Sequence, residues 1–168
     1  GGCTTSCSAT VTQPPAPLTC TAGEDNPVTC FGGSDGQASV TPTGGWGPVY
    51  TYVWSTTPPQ TSPTATGLSV GTYTVTVTDN GGCTTSCSAT VTQPPAPLTC
   101  TAGEDNPVTC FGGSDGQASV TPTGGWGPVY TYVWSTIPPQ ITPTATGLSV
   151  GTYTVTVTDN GGCPNPWN

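Results

Sequence analysis

The sequence predicts an all-β protein built from tandem β-sandwich repeats that are cross-linked by disulfides. Residues 1–80 and 81–160 are identical at 77 of 80 positions, and this period matches the size of one small domain. Pro, Gly and Thr occur throughout the chain, so no regular helix is expected. Short alternating segments separated by turn residues are typical of strands.

The strands are predicted from the alternation of apolar and polar residues. The alternating segments of the first repeat are 37–41, 50–54 and 71–79, and the next one is 87–91. In 71–79, Tyr73, Val75 and Val77 share one face, and threonines occupy the other. Turns are predicted at the Gly-rich and Pro-Pro segments between them.

These short strands, with a turn signal about every ten residues, indicate an immunoglobulin-like β-sandwich. Trp54 is expected in its core. Leu68–Tyr73 resembles the corner before the sixth strand of such folds, where a tyrosine hydroxyl bonds to nearby backbone. The predicted fold class is therefore all-β, with tandem immunoglobulin-like β-sandwich repeats of 80 residues, stapled by disulfides.

The side-chain charge of the chain is entirely acidic. There are eight Asp and Glu residues and no Lys, Arg or His. Without cations, the chain cannot make the phosphate contacts that dominate nucleic-acid binding, and anionic lipid surfaces are excluded for the same reason. No apolar run reaches the roughly 20 residues that a membrane-spanning helix needs, so no membrane insertion is predicted. Each carboxylate must be hydrated, hydrogen-bonded or metal-bound.

Four acidic residues in predicted loops are candidate calcium ligands, because Ca²⁺ prefers oxygen donors. They are Glu24, Asp25, Asp35 and Asp79. Their spacing matches no EF-hand, and the alternative is that they are solvated turn residues. Apart from calcium, no cofactor is predicted. Since the chain offers no His or Lys base and no evident acid/base pair, no catalytic residue and no enzymatic activity are predicted.

Nine cysteines indicate disulfides and an oxidising, extracellular setting. Their spacing does not match common zinc sites. If the first and last strands of a repeat lie side by side, Cys20 pairs with Cys87, which leaves Cys30 with Cys83, and this arrangement is preferred. The rival arrangement consists of two local loops that join residues 20 to 30 and 83 to 87.

A specific combination of motifs runs through the repeat. Its segments are Cys30–Gly36, Gly44–Gly45, Tyr50–Trp54, Gly67–Cys83 and Ala89–Pro94. Together they resemble the SprB-type repeat of large surface adhesins of gliding bacteria. The resemblance covers the whole repeat twice and implies a bacterial cell-surface or secreted array that serves as a stalk, filament or adhesive surface. The chain departs from the pattern in Cys20 and Cys87 and in its lack of basic residues.

The repeat boundaries follow if Ala89–Thr92 is a last strand and Pro94–Pro97 is a linker. The predicted parts are 1–16, a final strand of a preceding or neighbouring repeat; 17–96, a complete repeat; and 97–168, a second repeat without its own final strand. We expect Cys3–Thr12 of one copy to complete the second repeat of another copy. The alternative is that the 168 residues are an excerpt of a longer array.

Strand donation also predicts how the remaining cysteines are used. Cys100, Cys110 and Cys163 of one copy would gain Cys7 of a neighbour as their fourth partner, because Cys7 is the equivalent of Cys87. Cys3 would remain as the odd thiol. A covalently linked filament is the expected result.

Two further features are candidate contact sites. Trp46 and Trp126 lie in Gly-rich turns and are expected to pack against a neighbouring repeat or copy, or else to stack on a sugar ring. Ile137 and Ile141 replace threonines of the first repeat and form a candidate contact patch. The predicted function is a structural or adhesive filament or stalk at the bacterial cell surface, with other copies as partners. The alternative is a carbohydrate-binding adhesin that uses the two tryptophans.

Overall fold

The computed structural model of the chain describes residues 1–163, so the last five residues of the predicted part 97–168 lie outside the described residues. The strands of the first repeat are β1 Thr19–Asn26, β2 Gly36–Thr43, β3 Tyr50–Trp54, β4 Thr64–Leu68, β5 Gly71–Asp79 and β6 Thr84–Val91. Those of the second are β7 Thr99–Asn106, β8 Gly116–Thr123, β9 Tyr130–Trp134, β10 Thr144–Leu148 and β11 Val155–Asp159. Over residues 1–163 there is no helix that could cross a membrane.

The strands form sheets with the order of an immunoglobulin-like sandwich. In the first repeat the sheets are β1-β2-β4 and β3-β5-β6, and in the second they are β10-β8-β7 and β11-β9. The β3/β5, β7/β8, β8/β10 and β9/β11 pairs are antiparallel. Immunoglobulin domains divide their first, second and fifth strands from their third, sixth and seventh strands in the same way. The predicted fold class is confirmed.

The chain divides into two compact units. The first consists of Gly1–Gly23, Ser39–Ala65 and Thr72–Ala89. The second consists of Glu24–Ala38, Thr66–Gly71 and the chain from Thr90 onward. The second unit therefore combines the described second repeat with parts of the first.

Burial in the first unit follows the predicted alternation. In β5, Val75 and Val77 are fully buried, whereas Thr76 between them is exposed. Trp54 at the end of β3 is only 1% exposed, and its indole nitrogen donates a hydrogen bond to the carbonyl oxygen of Ser62 at 3.0 Å. The expectation that Trp54 is a core residue is confirmed.

The core of the second repeat lies between its two sheets. Its buried residues are Val120, Trp134, Ala145, Leu148, Val155 and Val157. Because β8 and β10 belong to one sheet and β9 and β11 to the other, this cluster packs sheet against sheet. The Tyr153 hydroxyl donates a hydrogen bond to the carbonyl oxygen of Ser149 at 3.1 Å. This is the second repeat's copy of the corner that the sequence predicts at Leu68–Tyr73.

Two disulfides staple the described structure. Cys20 in β1 bonds to Cys87 in β6, with their Cα atoms 6.0 Å apart, as preferred from the sequence. Cys30 bonds to Cys163, with their Cα atoms 5.6 Å apart. The preferred Cys30–Cys83 pairing is therefore wrong, and so are the two local loops. The physical reason is that the loop of Cys30 packs against the turn after β11, while Cys83 is exposed.

Replacing both Cys20 and Cys87 with Ser should lower the free energy of unfolding by about 4 kcal/mol in the chain-entropy account. The bond joins residues 67 positions apart, so its loss gives the unfolded chain much more freedom. Denaturant titration followed by Trp fluorescence measures the change. Cys3→Ser is the matched control, because Cys3 is exposed and outside both bonds. If the double variant unfolds at the same midpoint as this control, the bond contributes nothing.

Candidate functional site

The residues at and after the end of β6 complete the first repeat. Ala89, Val91 and Pro94 are buried, and Val91 is fully buried. Any Cβ on Gly36 would collide with the Val91 side chain, so Val91 lies directly on the β2 backbone. This close approach explains why the repeat has glycine at the start of β2.

Hydrogen bonds hold the same segment in place. The backbone N–H of Val28 donates to the carbonyl oxygen of Thr92 at 2.8 Å. The Glu24 carboxylate accepts the backbone N–H of Thr92 at 2.7 Å and its hydroxyl at 2.9 Å. The Gln93 side-chain oxygen accepts the N–H of Gly32 at 2.9 Å. The chain has no Lys or Arg, so the N–H and the hydroxyl of Thr92 take the place of a cationic partner for the Glu24 carboxylate.

The equivalent place in the second repeat is an open groove, termed the strand groove. It has a volume of about 530 Å³ and reaches the core residues Trp134 and Leu148. Its walls include the counterparts of the residues that hold the end of β6 in the first repeat. These are Glu104, Val108 and Gly116, which correspond to Glu24, Val28 and Gly36. The groove is therefore lined by the counterparts of residues that contact the end of β6 in the first repeat.

The second repeat also shows a less covered edge beside this groove. In the described residues, β11 pairs with β9 and no strand lies on its other side. β11 has five residues, whereas its counterpart β5 has nine and lies between two strands. Val150 is 91% exposed, whereas Val70 in the first repeat is 49% exposed. An unpaired edge of this kind is a template for another strand.

The N-terminal segment carries the sequence that occupies this place in the first repeat. Residues 3–14 are identical to residues 83–94. None of residues 1–13 lies in a strand, all of them are exposed, and Val11 is 96% exposed. The segment is anchored just beyond this point, where the Ala16 carbonyl oxygen accepts the N–H of Gly45 at 2.9 Å. It is thus a free strand sequence tethered to a folded repeat.

A second feature is the turn after β5, which Asp79 organises. Asp79 is 5% exposed, and its carboxylate accepts the backbone N–H groups of Trp46 at 2.8 Å and of Gly81 and Cys83 at 2.9 Å. These bonds, that of Trp46 first, lower the pKa of Asp79 below its ordinary value. The turn therefore holds Trp46 and Cys83 in fixed positions.

The second repeat has the same turn after β11, and there the turn contacts the loop 28–30 of the first repeat. Asp159 accepts the N–H of Trp126 at 2.7 Å and that of Cys163 at 3.0 Å. The Trp126 indole nitrogen in turn donates to the carbonyl oxygen of Val28 at 3.1 Å, and Cys163 is bonded to Cys30. The set Trp126, Gly161 and Cys163 against 28–30 is termed the turn contact. All of its residues lie in the second compact unit.

The predicted calcium ligands are not brought together. Residues 1–163 contain no group of three His, Cys, Asp or Glu side chains that could hold a metal ion. Asp35 instead accepts the hydroxyl and the backbone N–H of Thr29, and these bonds, the hydroxyl first, lower the pKa of Asp35. Glu24 and Asp79 accept hydrogen bonds as described above, and Asp25 lies in β1. Among the described residues these four carboxylates therefore form no common site, and calcium binding stays a prediction.

The remaining predicted residues are found at the surface or at the edge of the core. Trp46 is 38% exposed, whereas Trp126 is half-buried in the turn contact. Among the described residues, Ile137 is 100% exposed and Ile141 is 71% exposed. Cys7, Cys83 and Cys110 are exposed, and Cys100 packs beside the core of the second repeat.

Sequence reasoning missed the 28–30 loop as a contact site. One available signal was the Gly-Gly pair at 81–82 and 161–162. At Gly161 a Cβ would lie 2.9 Å from the carbonyl oxygen of Thr29 and would collide with Trp126, so only glycine permits this approach.

The described structure defines a disulfide-stapled tandem immunoglobulin-like repeat protein. The family model of the SprB repeat matches residues 22–58 and 102–138. Each match lies within one of the two repeats, which confirms the resemblance to the SprB repeat that the motifs predicted.

One solved structure that is similar to the chain is titled three N-terminal domains of the bacteriophage RB49 Highly Immunogenic Outer Capsid protein (Hoc). The two share 18% sequence identity with a TM-score of 0.45, and the match covers 85% of this chain and 54% of the Hoc chain. The chain spans about half the length of that structure. No curated protein matches the sequence.

Replacing Asp79 with Asn should destabilise the fold at neutral pH, because three N–H groups lose an ionised acceptor. Since the folded pKa is lowered from 3.8, the stabilisation is complete above that value and is lost as the pH falls through the folded pKa. The measurement is the difference in unfolding free energy between the parent and the variant at each pH. Glu104→Gln serves as the control for the loss of one charge. A difference that stays constant through acid pH would contradict this role.

Proposed function

We propose that the protein is an extracellular structural repeat protein of a bacterial surface, and that its copies join head to tail into a filament or adhesin stalk. In this proposal, the strand groove of one copy receives residues 3–14 of the next. One observation carries the proposal. An open groove in the second repeat coexists with an exposed segment whose sequence is that of the strand occupying the equivalent place in the first repeat.

The apolar side chains of the segment match the groove. Ala9, Val11 and Pro14 correspond to the buried residues Ala89, Val91 and Pro94. On insertion, Val11 would move from 96% exposure to the environment of a fully buried valine, which stabilises by about 1.5–3 kcal/mol for such a side chain. The free edge of β11 would at the same time gain backbone hydrogen bonds, which is the basis of strand addition.

The polar groups match as well. Thr12 corresponds to Thr92, so its N–H and hydroxyl would be accepted by Glu104, as those of Thr92 are by Glu24. Gln13 corresponds to Gln93 and would accept the N–H of Gly112. The carboxylate of Glu104 would thus gain hydrogen-bond donors from the inserted strand. The chain has no Lys or Arg that could pair with this carboxylate instead.

The direction of joining follows from the positions of the two parts. The segment precedes the first repeat and the groove belongs to the second, so the contact is heterologous and does not close on itself. Residues 12–18, which lead from the segment into the first repeat, are identical to residues 92–98. The bond from Gly45 to Ala16 recurs as the bond from Gly125 to Ala96 at 2.9 Å. A joint between copies would therefore repeat the link within the chain.

The cysteines support the same arrangement. Cys7 corresponds to Cys87 and Cys100 to Cys20, so a donated strand would bring Cys7 beside Cys100 of the receiving copy. Disulfides persist in oxidising compartments, which supports an extracellular location. The SprB repeat supports the bacterial cell surface. No observation favours sugar binding at Trp46 or Trp126, since Trp126 is used in a protein contact.

Replacing Val11 with Asp should abolish polymer formation, because the variant would place an ionised carboxylate in an apolar groove. Ser8→Asp is the matched control, since it adds the same charge to the same segment and its counterpart Ser88 is exposed. Sedimentation velocity over a concentration series gives the size distribution of each. We expect large species for the parent and Ser8→Asp, and single copies for Val11→Asp.

A synthetic peptide of residues 3–14 provides an independent check. In excess it should occupy the strand groove and cap growth, which would shorten the polymer. A scrambled peptide of the same composition is the control. If Val11→Asp polymerises like the parent and the peptide has no effect, strand donation is wrong.

A further inference from the structure

We propose that copies are also joined by a second covalent link, a disulfide between Cys83 of one copy and Cys110 of the copy that receives its N-terminal segment. The proposal deepens head-to-tail assembly and rests on it. It is drawn from the turn contact, in which a turn of the second repeat binds a loop of the first. The chain contains a second copy of this turn and a second copy of this loop, and these two copies do not contact each other.

The first half is the turn after β5. Its internal bonds match those of the engaged turn: Cys83 N–H to Asp79 at 2.9 Å corresponds to Cys163 N–H to Asp159 at 3.0 Å. What differs is burial. Cys163 is 5% exposed and Cys83 is exposed, while Trp46 is 38% exposed where Trp126 is half-buried. The turn after β5 therefore has the same internal structure as the turn after β11, but its Cys83 and Trp46 side chains are accessible to a partner.

The second half is the loop 108–110. It has the local structure of loop 28–30, because Thr109 N–H donates to Asp115 at 3.1 Å where Thr29 donates to Asp35 at 3.0 Å. The carbonyl oxygen of Cys110 accepts the N–H of Gly113 at 2.9 Å, as Cys30 does from Gly33. Cys110 is exposed and Val108 is only half-buried. The bonds of Thr109, the hydroxyl first, lower the pKa of Asp115 as they do that of Asp35.

The observed contact fixes which partner each half requires. Cys30 of the first repeat bonds to Cys163 of the second, so the loop of one repeat takes the turn of the repeat that follows. By this rule the turn of Cys83 needs the loop of a preceding repeat, and the loop of Cys110 needs the turn of a following one. Among residues 1–163 neither partner is present. A second copy joined head to tail supplies both.

The same joint would bring non-covalent contacts with it. The Trp46 indole N–H would donate to the carbonyl oxygen of Val108, as Trp126 does to Val28 at 3.1 Å. Gly81 would face Thr109, in the way that Gly161 approaches Thr29. Because the chain has no cationic side chain, no salt bridge between side chains can join two copies that each carry a net charge of −8, and these hydrogen bonds and the disulfide would add to the apolar contacts of the donated strand.

The bond forms by thiol–disulfide exchange with a small-molecule disulfide as oxidant. The Cys83 thiolate attacks one sulfur of the oxidant and releases one small thiolate. The Cys110 thiolate then attacks the Cys83 sulfur of the mixed disulfide and releases the second. Two protein thiols are oxidised, the small disulfide is reduced to two thiols, and the protons of the protein thiols pass to them.

The test uses the 168-residue chain with Cys3, Cys7 and Cys100 replaced by Ser, so that Cys83 and Cys110 are the remaining thiols outside the two described disulfides. From this parent, Cys83→Ser and Cys110→Ser variants are prepared. Each is incubated with oxidised glutathione, alone and in an equimolar mixture, and analysed on a denaturing gel without reductant.

We expect a ladder for the parent, single chains of 16.7 kDa for each variant alone, and a species of twice that mass for the mixture. The mixture should give no higher species, because each copy then offers only one half of the contact. Dimers in an unmixed variant, or single chains in the mixture, would overturn the proposal. Sedimentation of the same samples before denaturation distinguishes failure of the Cys83–Cys110 disulfide from failure of strand donation. Polymer without a ladder refutes the Cys83–Cys110 link alone, whereas single copies throughout refute strand donation as well.

Discussion

Burial of the last strand of the first sandwich is the interaction on which the rest of the account depends. In the first repeat, Val91 lies on the bare backbone at Gly36 and the carboxylate of Glu24 receives both donors of Thr92. In the second repeat, the counterparts of these residues line a groove of about 530 Å³ and β11 keeps an unpaired edge among the described residues. Nearly identical repeats therefore show two states of the same site. In the first repeat a strand covers the site, and in the second repeat the site is an open groove. This difference is the source of the proposed assembly.

The absence of cations shapes how the fold treats its carboxylates. With no Lys or Arg available, Asp79 is satisfied by three backbone N–H groups and Asp35 by a hydroxyl and an N–H. These bonds make rigid turns from residues that would otherwise only repel one another. The bonds of Asp79 also position Trp46 and Cys83. The hydrogen bonds that satisfy this buried carboxylate therefore also fix the residues of the proposed contact surface.

Much of the fold could be predicted from alternation alone. β2, β3, β5 and β6 each bury one face, and their apolar residues identified the core correctly, Trp54 included. β1 was expected only as a first strand that contains Cys20, without bounds, and β4 was not predicted. β1 ends in Gly23, Glu24, Asp25 and Asn26, which are poor strand formers. β4 contains Gly67 at a φ of +67°, which interrupts its alternation.

The contact sites were predicted less completely, for a physical reason. Cys20–Cys87 could be anticipated because both residues lie in strands that are neighbours in this fold class. Cys30–Cys163 could not, because it joins loops of successive repeats whose approach depends on packing at Gly161 rather than on local sequence. Strand donation was predicted from repetition and stays a prediction, whereas the residues that line the groove were identified only from the structure.

Electron microscopy with helical reconstruction of the non-reduced protein tests the central claim most directly. The account predicts ordered fibres in which residues 3–14 of each copy lie in the strand groove of the next, beside β11. Fibres whose grooves are empty or hold another segment would contradict it, and so would isolated single copies at every concentration.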